Sequence, residues 1–246
     1  MIAYAAKDLT TGNCLTSHEE VQLPSYSTIK VLLAAAFWRA VESGDLDEAQ
    51  PYAFEPRRSV SGGGVLRGFR HVAELALADY AHLMLAVSDN DATNIVAGAV
   101  GFERVNDLAA RLGLRQTAMR RLMMDAEAVA AGRENHTSAA DLAALLEELA
   151  TGETLGPAVS GPVWASLERQ EHLDGIARYL PPSAGYAGKC GDDSPTGRYA
   201  HDCALIREGD RRVIVAIMTD SAGGFEAVSR TGAALYEALG HDRATG

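Results

Sequence analysis

Hydrophobic and polar residues along this chain follow a strand-like rhythm at both ends and a helical rhythm between them. Residues 2–9 and 13–20 alternate loosely about a turn at residues 11–13, which predicts a hairpin of two strands. Three further strands are predicted near the C-terminus, at residues 184–190, 199–207 and 211–219. Strands at the two ends of a chain most simply join into one antiparallel sheet.

The middle of the chain has helical periodicity. Its longest apolar run follows the polar segment 23–30 and stops at Glu42-Ser43-Gly44, which predicts a helix over about residues 26–43. Further helices are predicted at about residues 72–87, 91–99, 102–112, 139–150, 158–170 and 224–239. Two segments, 45–70 and 114–137, are interrupted by Pro, Gly or polar residues and are expected to be mostly loop.

This order of elements predicts an α/β (α+β) protein with one antiparallel sheet and a separate helical layer. We expect residues 1–24 and 178–246 to form a discontinuous sheet domain, and residues 25–177 to form a helical domain. The helix predicted at residues 26–43 then lies at the seam between the two, where an active site is expected.

That helix carries a candidate nucleophile with its base. Ser27 and Lys30 are three residues apart, so their hydroxyl and amine share one face of the first turn. The chain has 19 Arg but only three Lys, at positions 7, 30 and 189. Arg stays protonated in proteins, whereas Lys becomes neutral when it is buried near other positive charge. A capping serine beside a lysine that reaches to solvent remains the structural alternative.

Charge and composition exclude several partners. The formal net charge is −11 and no basic run exists, so a nucleic-acid partner is not expected. No apolar stretch approaches the ~18 residues of a membrane span. The first eight residues lack the features of a signal peptide, and three widely spaced Cys fit reduced thiols, so a cytoplasmic location is expected. The oligomeric state is left open.

Three short motifs contain the candidate catalytic residues: Ser27-x-x-Lys30, Ser88-Asp89-Asn90 and Lys189-Cys190-Gly191. In this order they resemble the Ser-x-x-Lys, Ser-Asp-Asn and Lys-Thr-Gly motifs of class A β-lactamases and penicillin-binding proteins. The separations of 61 and then 101 residues are similar to those of the class A enzymes. The resemblance implies a five-stranded antiparallel sheet flanked by helices beside an all-helical domain.

The resemblance also implies a role for each motif residue. Ser27 is the acylated nucleophile, and Lys30 accepts its proton directly or through water. Ser88 relays a proton to the leaving group, and Asn90 positions Lys30 and a substrate amide. Lys189 helps keep Lys30 neutral and attracts a small substrate, which is expected to be anionic. The oxyanion hole is formed by the backbone N–H groups of Ser27 and Asp192. The weaker structural alternatives are a helix junction for Ser88-Asp89-Asn90 and a solvated strand for Lys189.

The third motif departs from the family pattern at Cys190. A thiol is a weaker hydrogen-bond donor than the usual hydroxyl, so recognition of a substrate carboxylate is in doubt. Cys190 and Gly191 are nevertheless expected to line the substrate site, together with Asp192. Cys203 lies across a predicted hairpin from Cys190, and a pair of reduced thiols is expected there.

The second departure lies in the omega loop, where class A β-lactamases carry a glutamate that activates the deacylating water. Aligned on Arg121, that position is Met123. Candidate replacements are Asp125 and Glu127, or His201 from the sheet. Because general-base assistance is worth about 10²–10⁴-fold in rate, slow hydrolysis of the acyl-enzyme is expected.

The sequence therefore predicts a serine hydrolase that acylates Ser27 with an amide, ester or lactam. The alternatives are an acyltransferase of transpeptidase type and a ligand-binding protein without catalysis. No cofactor is expected. Two segments are rich in His and acidic residues, 18–20 and 171–174, but neither has the spacing of metal ligands. No metal is therefore expected.

Overall fold

The computed structural model describes residues 1–194, 196–221 and 223–240. The strands are β1 (Ile2–Asp8), β2 (Cys14–Ser17), β3 (Leu23–Pro24), β4 (Pro51–Phe54), β5 (Ala73–Ala76), β6 (His136–Thr137), β7 (Gly185–Asp192), β8 (Ala200–Glu208) and β9 (Arg211–Thr219). The helices are α1 (Ile29–Glu42), α2 (Leu77–Ala86), α3 (Asn90–Val100), α4 (Phe102–Arg111), α5 (Ala126–Ala130), α6 (Ala139–Thr151), α7 (Gly156–Leu167) and α8 (Gly224–Ala238).

Strands from the two ends of the chain share one antiparallel sheet, in the order β2-β1-β9-β8-β7. The N-terminal strand β1 pairs along its whole length with β9, from Ile2 opposite Thr219 to Asp8 opposite Val213. The predicted fold class is confirmed. The sheet ends on one side at β7, the strand that carries Lys189.

The sheet is covered on both faces, as alternation along β9 shows. Ile214, Ala216 and Met218 belong to the large core shared with the helical layer. Val213, Val215 and Ile217 belong to a second core that includes residues of α8. Successive side chains of a strand point to opposite faces, so a strand buried on both sides is apolar throughout.

Helix α1 is the centre of the helical layer. Every residue from Ile29 to Phe37 is buried, and the helix packs against α2, α3, α4 and α7. A helix with apolar residues on all sides is found where neighbouring elements cover every face of it. The residue before it, Thr28, ends a short 3₁₀ turn that begins at Tyr26.

Two predicted segments differ from the structure. The helix predicted over residues 72–87 begins only at Leu77, because residues 73–76 form β5 and pair with β4 inside the predicted loop. A stretch of four residues is too short for its pattern to distinguish a strand from a helix, and pairing with β4 decides between them. Similarly, the irregular segment 114–137 contains α5 and β6.

Helix α6 falls within the predicted helical domain but packs against β1, β8 and β9 as well as α7. The proposed division at residues 24 and 177 stays a prediction. In the part of the chain that the structure describes, no helix is long and apolar enough to cross a membrane.

Candidate active site

Ser27 lies in the 3₁₀ turn that leads into α1, and Lys30 lies in the first turn of that helix. Tyr26, which precedes Ser27, has φ +46°, in the left-handed region that non-glycine residues rarely adopt. Strained backbone of this kind is often found at functional sites. Ser27 is partly exposed, whereas Lys30 is completely buried.

The amine of Lys30 is bonded to three acceptors. Its Nζ donates to the Ser88 carbonyl oxygen at 2.8 Å, to Ser88 Oγ at 3.1 Å and to Asn90 Oδ1 at 2.9 Å. Burial, and then the charge of Lys189, lower the pKa of Lys30 well below its ordinary value. Two of the predicted motifs therefore meet at one buried amine, and the surroundings of that amine lower its pKa.

Ser88 and Asn90 are held in place by the residue between them. Asp89 is buried and accepts three backbone N–H groups: Oδ1 from Ala92, and Oδ2 from Val65 at 2.7 Å and Leu66 at 2.9 Å. The first bond caps α3, and the other two fasten the loop before residue 66. Ser88 has φ +55°, which turns its carbonyl and hydroxyl oxygens toward Lys30.

The glycine-rich loop at residues 61–64 lies directly against Asn90 and Asp89. Asn90 donates from Nδ2 to the Ser61 carbonyl oxygen at 3.1 Å and from its backbone N–H to that of Gly63. A Cβ atom on Gly64 would lie 2.3 Å from Asp89 Oδ2, so no other residue fits there without a shift. Sequence analysis did not place this loop at the site, although a run of glycines is typical of segments where backbone approaches closely.

Strand β7 brings the third motif to Ser27. A Cβ atom on Gly191 would lie 2.5 Å from the Ser27 backbone nitrogen, so the absence of a side chain allows the strand to approach the nucleophile. Lys189 is completely buried, and its Nζ donates to the Cys190 carbonyl oxygen at 2.9 Å. Burial lowers the pKa of Lys189 too.

The cysteines near this motif are buried thiols with separate partners. Cys190 Sγ donates to the His172 carbonyl oxygen at 3.9 Å, and Cys203 Sγ donates to that of Lys189 at 3.5 Å. Burial raises the pKa of Cys190 to about 11, which disfavours its thiolate. Cys203 is paired in register with Lys189, and Cys190 with Asp202, so the two thiols lie on opposite faces of the sheet.

The omega loop is anchored at the position where a glutamate was expected. Asn94 accepts the backbone N–H of Met123 at Oδ1 (2.7 Å) and donates from Nδ2 to its carbonyl oxygen (3.2 Å). Asn135 accepts the N–H groups of Arg120 and Arg121, and Arg121 forms a largely buried ion pair with Glu134. The Met123 side chain is buried within the large core.

The three candidate deacylation bases are placed differently. Asp125 accepts the Ala128 N–H at 2.9 Å and caps α5, and Glu127 is exposed on the first turn of that helix. Within the described part of the chain, neither carboxylate is bonded to Ser27, Lys30 or Asn90.

His201 does not fit the role that was expected of it. Its ring is fully buried, Nε2 donates to the Pro24 carbonyl oxygen at 2.9 Å, and Nδ1 accepts the Thr219 N–H at 3.1 Å. Burial lowers its pKa to about 4, so the ring is neutral at ordinary pH. Both nitrogens are occupied by the backbone, and the expectation of a base is corrected to a structural role.

Asn94 and Asn135 are site-supporting residues that sequence reasoning missed. The signal for Asn94 was its position four residues after Asn90, on the same face of α3. Among the described residues, no group of three or more His, Cys, Asp or Glu is arranged to hold a metal ion.

Comparison with known proteins identifies a family model and solved structures that are similar to this chain. A family model described as "Beta-lactamase enzyme family" matches residues 2–239. A β-lactamase from Sphaerobacter thermophilus is 26% identical with a TM-score of 0.90, and the match covers 98% of this chain and 92% of that one. The structure of PBP-A is 24% identical with a TM-score of 0.87, covering 98% and 90%.

A curated relative was found as well. The β-lactamase regulatory protein BlaB of Streptomyces cacaoi is 29% identical over 124 residues. The match covers 50% of this chain and 40% of that protein, so the chain spans less than half of this relative's length.

Proposed function

Because the chain belongs to the beta-lactamase enzyme family, we propose that it is a serine hydrolase that forms an acyl-enzyme on Ser27. The observation that carries the proposal is the amine of Lys30, which is buried, has a lowered pKa and belongs to the residue three positions after Ser27. A lowered pKa makes the neutral amine, which is the form that can accept the proton of a serine hydroxyl, easier to reach.

In the proposed reaction, Ser27 Oγ attacks the carbonyl carbon of an amide, ester or lactam, and its proton passes to Lys30. The ammonium then has three protons to donate, which match the three acceptors around it. Ser88 Oγ, one of those acceptors, takes a proton from Lys30 as it passes its own to the leaving nitrogen or oxygen, and the bond between that atom and the carbonyl carbon breaks. The backbone N–H groups of Ser27 and Asp192 are proposed to stabilise the oxyanion.

We propose that hydrolysis of this acyl-enzyme is slow. Met123 occupies the position of the usual base, and a thioether cannot accept a proton from water. The nearest acidic residue along the loop, Asp125, is already bonded to a helix N-terminus. A stable acyl-Ser27 is therefore expected after reaction with a good acyl donor.

Intact mass spectrometry after treatment with a fluorophosphonate or benzylpenicillin tests the acylation. A single adduct should form on the wild-type protein and disappear in Ser27→Ala, with Ser25→Ala as the matched control on the same segment. The absence of an adduct with every donor would overturn the proposal.

The missing base also favours acyl transfer to an amine as the second candidate function. If an amine replaces water, added amines should speed the loss of the acyl-enzyme and give an amide product. If only water reacts, added amines will not change the rate at which the acyl-enzyme is lost.

Ligand binding without catalysis is the third candidate function. The printed name of the Streptomyces relative, a regulatory protein, is in line with it. In that case no acyl donor should give an adduct.

A further inference from the structure

The face of β7 that carries Cys190 is acidic. Side chains alternate along the strand, so Asp192 lies on the same face as Cys190, and Asp202 is the cross-strand partner of Cys190 on β8. Burial raises the pKa of the Cys190 thiol first of all; the two carboxylates raise it further, and the charge of Lys189 acts against them. Lys189, which was expected to attract an anionic substrate, occupies the alternate position of the strand and is completely buried.

The two carboxylates differ in what they can contact. Asp202 is buried: Oδ1 accepts from Tyr186 Oη at 2.8 Å and Oδ2 accepts the Ile176 N–H at 2.8 Å. It contributes charge to this face but has no free oxygen for a ligand. Asp192 is exposed at the end of the strand, next to the glycine that touches the Ser27 backbone.

In the described part of the chain no positive side chain forms an ion pair with Asp192, and His172 and Lys189 act on its carboxylate only from beyond that distance. Arg198, on the loop that follows β7, is paired with Asp220 and stacks on the ring of Tyr199. A substrate carboxylate placed beside Cys190 would therefore face Asp192 directly, with Asp202 behind it.

We propose that Asp192 is a specificity-determining residue that makes this site select acyl donors with a cationic or neutral group beside the reacting carbonyl, and disfavour a carboxylate there. The inference rests on the proposed acylation of Ser27. It replaces the sequence-based expectation of an anionic substrate, which depended on Lys189 alone.

Three forms of one lactam test the proposal: benzylpenicillin, its uncharged methyl ester and its cationic diethylaminoethyl ester. The measurement is the rate at which each form acylates Ser27, read by intact mass. Where a form binds without acylating, the concentration that protects Ser27 from a fluorophosphonate gives the same ranking. The wild-type protein should prefer the cationic and neutral forms to the free acid by about tenfold or more.

The matched variants are Asp192→Asn and Asp210→Asn. Both remove one negative charge, but Asp210 lies in the turn between β8 and β9, at the far end of the sheet from Asp192. Asp192→Asn should reduce the preference to about twofold or less, and Asp210→Asn should leave it intact. A wild-type preference for the free acid, or an unchanged preference in Asp192→Asn, would overturn the inference while leaving acylation standing. If the fluorophosphonate does not label Ser27 at all, the proposed function fails first and the inference falls with it.

Discussion

At the scale of single residues, the protonation of Lys30 is the quantity on which the proposed chemistry depends. Lys30 acts as a base only when neutral, so the rate of Ser27 acylation should rise with pH through the pKa of Lys30. The charge of Lys189 helps to hold that pKa down. We therefore expect Lys189→Gln to raise the pKa of Lys30 and move the rise in rate to higher pH.

The measurement is the rate of fluorophosphonate labelling of Ser27 as a function of pH. Lys189→Arg is the control, because it keeps the positive charge and should leave the pH at which the rate rises near that of the wild type. If Lys189→Gln lowers the rate equally at every pH, Lys189 affects the site by shape and not by charge.

The close approach of Gly191 to Ser27 gives a second prediction at this scale. In Gly191→Ala, the added Cβ would lie 2.5 Å from the Ser27 backbone nitrogen, so the strand must move away from the nucleophile. A displaced oxyanion-hole donor is expected to slow acylation by about 10²–10³-fold. Gly185→Ala, on the same strand, places its Cβ at an ordinary 3.7 Å from the nearest atom and should leave the rate unchanged.

Labelling rates and thermal unfolding of both variants distinguish a local effect from loss of the fold. Equal labelling rates for Gly191→Ala and Gly185→Ala would show that this contact does not shape the site.

The residues of the three motifs could be identified from sequence because their types are rare or chemically specific. Lys30 stood out in a chain that otherwise uses Arg, and the structure shows its amine on Ser88 and Asn90. His201 could not be assigned in this way. A histidine next to an aspartate on a strand is compatible with either face, and only the register shows that its nitrogens bond Pro24 and Thr219.

At the scale of elements, Asp89 joins α3 to the glycine-rich loop. Its carboxylate satisfies three backbone N–H groups, two of which belong to that loop. Asp89→Ala leaves these donors without a partner, and we expect it to lower the free energy of unfolding by about 2–4 kcal/mol. Urea denaturation measures this loss, and faster proteolysis near residues 61–66 should accompany it.

Asp107→Ala is the matched control, since Asp107 is exposed on α4 and its removal should cost less than about 0.5 kcal/mol. Equal losses in the two variants would contradict the role of Asp89 as the anchor of the loop.

Long elements were easier to predict from the sequence than the short ones beside the site. The five sheet strands and the long helices have periodic apolar patterns of their own. Strands β4 and β5 are four residues each and are defined by pairing with one another, so local pattern did not separate β5 from the helix that follows it. The same holds for the glycine-rich loop, whose position depends on side chains more than 20 residues away in sequence.

At the scale of the whole molecule, His201 connects the sheet to the segment that carries the nucleophile. Its ring links Thr219, the last residue of β9, to Pro24, three residues before Ser27. Because the two layers come from distant parts of the chain, this connection could not be foreseen from either part alone. It also makes the stability of the protein depend on the charge of one ring.

The sign of that dependence follows from the lowered pKa of His201, which falls from 6.5 to about 4 on folding. Between these values the unfolded chain binds a proton that the folded chain does not, so stability falls as the pH is lowered through this window. The full difference is on the order of 3 kcal/mol. His201→Gln, which keeps one acceptor and one donor but does not titrate, should flatten this part of the pH dependence. Urea midpoints at neutral pH and at about pH 5 would measure it, and an unchanged slope in His201→Gln would mean that other groups govern the acid sensitivity of the fold.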